Sequence, residues 1–268
     1  MIMNYELKLK LNAYILRKLY FIRKRRFPKF GTAIFSSTIS SERINKFIEF
    51  SNDKIAYLEI GIENARTFIN VKADQKVGVD PFPLISKYGL PSSTRISILG
   101  SDKFFETNNI EFNFAFIDGL HTWEQTYKDI INAMNHGAEN SVLLIDDVVP
   151  CDEYAALRSQ IACQVKKKEN AIDNNYWMGD VFHVVKILAK FHPELSFYTI
   201  KNSGEHIQGL ILRNDFAGEI QIHDAAMLSK EISHDDFRSI FSNGIPSYFN
   251  PVTFEQACDV VEKYLARK

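Results

Sequence analysis

The chain has 268 residues, 46% of them hydrophobic, which is material for one α/β domain with extensions around a large core. Its 32 basic and 33 acidic side chains nearly cancel, so overall charge points to no polyanionic partner and no nucleic-acid partner is expected. Three scattered cysteines, Cys151, Cys163 and Cys258, show no CxxC spacing. They exclude a disulfide framework and a cysteine zinc site, and they point to a reducing, cytoplasmic setting.

Residues 5–22 place Leu7, Leu11, Ile15, Leu19 and Ile22 at helical spacing. Residues 8–29 carry nine basic side chains and no acid. No apolar run approaches the roughly 18–20 residues that span a bilayer, and lysines and arginines interrupt this stretch throughout, unlike a secretory signal. Two readings stand: residues 5–27 contact a membrane surface, or the helix docks on the domain or extends a dimer contact in a homo-oligomer. A second helix is expected from Ser41 to Phe50, capped by Ser40 or Ser41.

From there strand and helix alternate as in a parallel sheet. Strands are expected at Ile55–Ile60, Lys76–Val79, Arg95–Leu99, Phe112–Ile117 and Ser141–Ile145, with helices near Asn64–Lys72, after Ser101-Asp102, and over Thr122–His136. Beyond Pro150, Asp152–Lys168 and Gly179–Phe191 read as helices. Leu195–Lys201 and His206–Leu212 read as an antiparallel pair joined through Asn202-Ser-Gly-Glu205. The tail from Phe216 is polar and helical, ending in Phe254–Arg267. The expected division is a helical extension over 1–50, a central domain over 51–215 and a second helical extension over 216–268.

Two segments carry the chemistry. Phe116-Ile-Asp-Gly-Leu-His-Thr-Trp-Glu-Gln125 and Val142-Leu-Leu-Ile-Asp-Asp147 are buried strands that deliver carboxylates at their C-terminal ends. Ligands of open α/β sheets bind outside those ends, so Asp118, His121, Asp146 and Asp147 are expected to share one crevice. Three carboxylates and an imidazole there can hold a divalent metal and move a proton. Tyr57-Leu-Glu-Ile-Gly-Ile62 puts an acid two positions before a glycine at the end of the first strand. Val77-Gly-Val-Asp80 ends the second strand in an acid that can accept from both hydroxyls of a ribose. Gly100-Ser-Asp-Lys-Phe-Phe105 follows the third, where Ser101 and Asp102 can cap a helix or contact a base.

In this order the segments resemble those of class I S-adenosylmethionine-dependent methyltransferases, and among them methyltransferase family 24, over roughly residues 55–150. A weaker echo is Trp177-Met-Gly-Asp-Val181. The resemblance implies a Rossmann-like, seven-stranded, mostly parallel sheet with a terminal antiparallel hairpin. It implies a cofactor site at Glu59, Gly61, Asp80, Ser101, Asp102 and Asp118. Similarity to the catechol-type enzymes implies a metal, Mg²⁺ foremost, at Asp118, Asp146 and Asp147, with His121 as general base beside Asp118. Trp177 and Asp180 are candidates for the acceptor's wall.

The implied reaction is O-methylation of a hydroxyl on a sugar or other small polyol. One departure matters: relatives carry a second glycine where this chain has Ala65. If the backbone there takes positive φ, the methyl costs of the order of 1 kcal/mol and crowds the cofactor. The alternative expectation is a catalytically degenerate methyltransferase fold serving as a binding or scaffold module.

Overall fold

Runs of β-branched and aromatic residues bounded by turns form one sheet in the computed structural model, which describes residues 36–85, 90–201, 207–215 and 218–267. The helix expected over residues 5–22 and the loop Asn202–Glu205 lie outside the described residues. The strands are β1 (Ala56–Ile60), β2 (Gln75–Val79), β3 (Thr94–Ser97), β4 (Phe112–Ile117), β5 (Gly137–Ile145), β6 (Leu195–Ile200), β7 (Gln208–Arg213) and β8 (Pro251–Val252). Their order is β3-β2-β1-β4-β5-β7-β6-β8. The first five are parallel, β7 runs antiparallel to both β5 and β6, and β8 pairs parallel with β6. The order is that of the expected Rossmann-like, mostly parallel sheet with an antiparallel end, with eight strands among the described residues where seven were expected; the extra strand is only two residues long.

Helices cover both faces. On one lie α1 (Ile39–Ile48), α2 (Arg66–Asn70) and α9 (Phe254–Leu265), packing Ile44, Phe47, Phe68, Ala257 and Val261 against Tyr57, Phe114 and Leu144. On the other, α3 (Ser101–Thr107), α4 (Trp123–His136), α6 (His183–Phe191) and α7 (Ala225–Ile232) pack Phe104, Ile130, Val184 and Leu228 against Leu58, Ala115 and Leu143. Helices α5 (Gln160–Glu169) and α8 (Phe237–Phe241) complete the set. Tyr57 and Leu58 take opposite faces, as period-two strands require. Among the described residues no helix is long and apolar enough to cross a membrane.

The helix expected over Asp152–Lys168 begins only at Gln160. A first turn does open at Asp152, whose carboxylate accepts from the amides of Tyr154 and Ala155 at 2.9 and 2.7 Å as an N-cap does, but it is not continued. The Ala155 carbonyl, which a helix would use internally, accepts from the amides of Met178 and Gly179.

Gly61 fixes how closely β1 and β4 approach at the edge that matters. Its φ is +85°, and a Cβ placed there would lie 1.9 Å from the Asp118 carbonyl oxygen. Both neighbours are backbone, so nothing can rotate away. Gly61→Ala is expected to lower unfolding free energy by about 3 kcal/mol or more in urea denaturation. A variant as stable as the parent would show that the two loops are not in contact.

Candidate functional site

The sheet order reverses direction between β1 and β4, the position where such sheets open a crevice. Backbone bonds stitch the strand ends laterally: Gly61 N–H to the Val79 carbonyl at 2.8 Å, Asp118 N–H to Ile60 at 2.9 Å and Asp146 N–H to Ile117 at 3.0 Å. Asp80, Asp118 and Asp146 therefore leave the sheet at one level.

On the β1–β3 side, Asp80 bridges two loops. One carboxylate oxygen accepts from the Glu63 amide at 2.8 Å, the other from the Phe82 amide at 2.7 Å. Each oxygen keeps a further lone pair for a ligand hydroxyl. Glu59 does not line the crevice: it is 2% exposed and accepts from the Tyr57 hydroxyl at 2.5 Å and from the Phe68 amide. Burial pushes its pKa up to about 8, with the Asp118 charge adding to the shift. Ala65 does take positive φ, +59°, so the conformational cost applies. Its methyl is fully buried in the cluster of Ile62 and Phe68, however, and so does not project into the crevice.

Ser101 and Asp102 open α3 and face α4. Gln125 donates to Asp102 at 2.8 Å and to Asp129 at 3.0 Å, with the Ser101 hydroxyl at 3.2 Å, and Lys128 lies 3.7 Å from Asp102. Burial pushes Asp129 up to about 7. Asp129 escaped the sequence reading, although an acid on the same stripe as Thr126, Ile130 and Ala133 was the available signal.

Across the crevice, Asp118, His121 and Asp147 form one cluster, with one ligand atom from each lying within 4.8 Å of the others. His121 Nδ1 is 3.0 Å from both Asp147 Oδ2 and the Trp177 carbonyl, and Nε2 is 3.3 Å from Asp118 Oδ1. Both ring nitrogens face acceptors, so both carry hydrogens. Burial pulls the imidazole pKa down, but hydrogen bonds and charge from Asp118 and Asp147 outweigh it and hold it well above the ordinary value. Trp177 stacks on the ring at 4.8 Å and 18°. Gly179 (φ +65°) lies so close that a Cβ would meet the His121 carbonyl at 1.9 Å.

Asp180 accepts from the Trp123 amide at 2.9 Å and from Arg158 at 2.7 Å. The Trp177-Met-Gly-Asp-Val181 segment is thus a clamp on the His121 loop more than a wall. Arg158, which also pairs with Glu124 at 2.9 Å, lay in the stretch misread as helix.

Asp146 departs from expectation. Its carboxyl stays out of the cluster: Oδ1 accepts from the Asp147 amide at 3.0 Å, and the side-chain amide of Gln208 on β7 is near enough to the carboxyl to favour the charged form. Burial, then the charges of Asp147 and Asp118, push its pKa well above the carboxylate range. The expected trio of Asp118, Asp146 and Asp147 is replaced, among the described residues, by Asp118, His121 and Asp147. The two carboxylates Asp118 and Asp147 fit a divalent cation that takes oxygen ligands, Mg²⁺ or Mn²⁺, with the His121 ring beside them. The strand-end acids Asp80 and Asp118, with Asp102 beyond β3, fit a nucleoside-bearing cationic cofactor.

No family model matches the chain, and no curated protein matches it, so the likeness to methyltransferase family 24 rests on the motifs. Solved structures do match. Cofactor-bound Rv0187 from MTB is 13% identical, with 76% of this chain and 89% of that one covered, at a TM-score of 0.47. The O-methyltransferase from Bacillus cereus in complex with SAH is 13% identical over 68% and 84%, at 0.45. The SAH-bound Podospora anserina methyltransferase PaMTH1 is 14% identical over 80% and 98%, at 0.46. At that distance the likeness carries no reaction across to this chain.

Glu59 makes stability pH-dependent. Its folded pKa of about 8 exceeds the ordinary 4.5, so folding takes up a proton between those values. The stability present below pH 4.5 is lost as pH rises toward 8, by at most about 1.4 kcal/mol per pH unit. Glu59→Gln keeps an acceptor for Tyr57 and removes that loss, so its stability advantage in urea is expected to grow from pH 5 to pH 8. A pH-independent difference would place the charge elsewhere.

Proposed function

We propose that this chain is an S-adenosylmethionine-dependent O-methyltransferase acting on a hydroxyl of a sugar or other small polyol, assisted by a divalent cation. The observation that carries the reading is one juxtaposition at the switch point of the sheet. Asp80 and Asp102 stand at the ends of β2 and β3, and the Asp118–His121–Asp147 cluster stands across the crevice.

In this reading Asp80 accepts from the ribose hydroxyls and Asp102 from the adenine amine, while Asp118, about one-third exposed, faces both halves of the crevice. The bound cofactor supplies a methyl group on a sulfonium. A cation held by Asp118 and Asp147 would lower the pKa of the acceptor hydroxyl. Transfer would make an oxygen–carbon bond at the expense of the carbon–sulfur bond, whose electron pair would stay on sulfur, and His121 would take the hydroxyl proton. His121 can accept it only when neutral, so turnover rises with pH as the ring gives up its proton. The Trp177 stack and the Gly179 contact hold the ring in place, and catalysis is chiefly positioning and charge stabilisation.

Titration calorimetry of the full chain with S-adenosylmethionine, with Mn²⁺ and again with EDTA, tests the reading. Saturable binding weakened at least about tenfold in Asp80→Ala is expected, matching loss of a charge-assisted pair. No binding in either buffer would sink it and favour the degenerate module, whose one mark is Ala65. A separate proposal is that residues 5–27 contact an anionic membrane surface. Sedimentation with phosphatidylglycerol vesicles is expected to capture the full chain at low salt and release it at high salt. A chain left in solution even at low salt would remove that contact.

A further inference from the structure

Asp146 points away from the cluster that its sequence neighbour Asp147 helps to build, into a buried polar chain reaching α1. Arg43, 4% exposed, donates to Gln208 Oε1 at 2.8 Å. Gln208, fully buried on β7, donates through Nε2 to the Ser40 hydroxyl at 2.8 Å, and its amide is near enough to the Asp146 carboxyl to favour the charged form. Asp146 Oδ1 then accepts from the Asp147 amide at 3.0 Å. Asp147 takes a φ of +63°, a backbone conformation that side chains rarely adopt, and sets Oδ2 3.0 Å from His121 Nδ1.

The Gln208 amide is satisfied in one orientation only. Its carbonyl faces the Arg43 donor, and its NH₂ group donates to the Ser40 hydroxyl on the side of the Asp146 carboxyl. Turned over, it would present NH₂ to a guanidinium and oxygen to a carboxyl. A leucine here, beside Leu210 and Leu212, would leave the buried Arg43 without its acceptor, and only an apolar residue at 43 as well would avoid that cost. Burying an arginine, a glutamine and a carboxyl together makes sense only where each satisfies the next.

We infer that Arg43 and Gln208 are positioning residues. Acting through Asp146, they hold Asp147 in its left-handed conformation and so set the geometry of the Asp118–His121–Asp147 cluster. Helix α1 is on this view a support of the site, not only a cover. Use of the cluster by a cation rests on the function proposed above; the geometry of the relay does not.

The test uses the full-length chain and the variants Gln208→Leu, Arg43→Met and Ser40→Ala. Three quantities are read: Mn²⁺ affinity by calorimetry, the ¹H–¹⁵N resonances of the His121 ring in metal-free protein, and S-adenosylmethionine affinity. Gln208→Leu and Arg43→Met are expected to weaken Mn²⁺ binding by about 10- to 100-fold, as loss of a ligand's supporting partner does. They should shift the His121 Nδ1 resonance and leave cofactor affinity within about twofold, the Asp80 side being untouched. Ser40→Ala, at the edge of the chain, should move neither the metal affinity nor the resonance.

A folded Gln208→Leu with parental Mn²⁺ affinity and an unshifted His121 resonance overturns the relay. If Gln208→Leu does not fold, Arg43→Lys decides by the same readouts, since it keeps charge but not the guanidinium geometry. If the parent binds no Mn²⁺, the cation reading fails by itself. The His121 resonance then judges the relay alone: a shift in Gln208→Leu upholds it, and none overturns it.

Discussion

Carboxylates delivered by neighbouring parallel strands stand about 4.8 Å apart at each step across the sheet, close enough to repel strongly once water is thinned out. Much of the architecture at this edge is compensation for that repulsion, and each acid is handled differently. Asp80 is held by two backbone amides, and Asp102 by Gln125 and Lys128. Asp118 and Asp147 share the His121 ring, Arg158 joins Glu124 to Asp180, and Glu59 keeps its proton. The differences sort the acids by chemistry. Asp80, satisfied by backbone, Asp118 and Asp147, sharing an exchangeable proton, and the half-exposed Asp102 keep capacity for a ligand, whereas Asp146, turned inward to Gln208 and the Asp147 amide, has spent its own on the protein.

That sorting explains which parts of the site were legible in the sequence. Asp118, Asp80 and Gly61 could be placed because each sits one step beyond a strand whose apolar run is unmistakable, and a parallel sheet puts all such positions on one edge. The pair Asp146-Asp147 shows the limit. Two adjacent residues leaving a strand cannot both face one ligand unless the chain turns, and here the turn is a positive φ at Asp147. No local pattern announces it: its partners Gln208 and Arg43 lie on elements remote in sequence. Arg158 was hidden for a simpler reason, since the turn opened by Asp152 stops where the Ala155 carbonyl is taken by Met178 and Gly179, and periodicity alone would have continued the helix.

Two close backbone approaches frame the crevice, and both are made by glycines at positive φ. Gly61 brings the β1 loop onto Asp118, and Gly179 brings the Trp177 segment onto His121. A side chain at either would separate the loops by more than the tolerance that positioning chemistry allows. Ala65 is the informative contrast. It sits at a φ of +59° with its methyl packed into the core, so the left-handed penalty is set against burial of a methyl worth roughly 0.8 kcal/mol. The loop keeps its course because that methyl has a place to go; the Cβ of an alanine at 61 would meet backbone.

An enzyme and a scaffold would ask different things of this edge of the sheet. A scaffold needs the sheet, the helices and the two glycine contacts. It has no use for a histidine held between two carboxylates, half-buried, with both ring nitrogens engaged and an indole stacked on its face. Nor does it need a fully buried glutamine between a guanidinium and a carboxyl to keep one of those carboxylates in a strained conformation. Such groups cost stability that apolar replacements would return. Strain and buried polarity gathered at the switch point of the sheet, and directed at one three-residue cluster, are what the proposed catalysis would use and the scaffold reading leaves without a purpose.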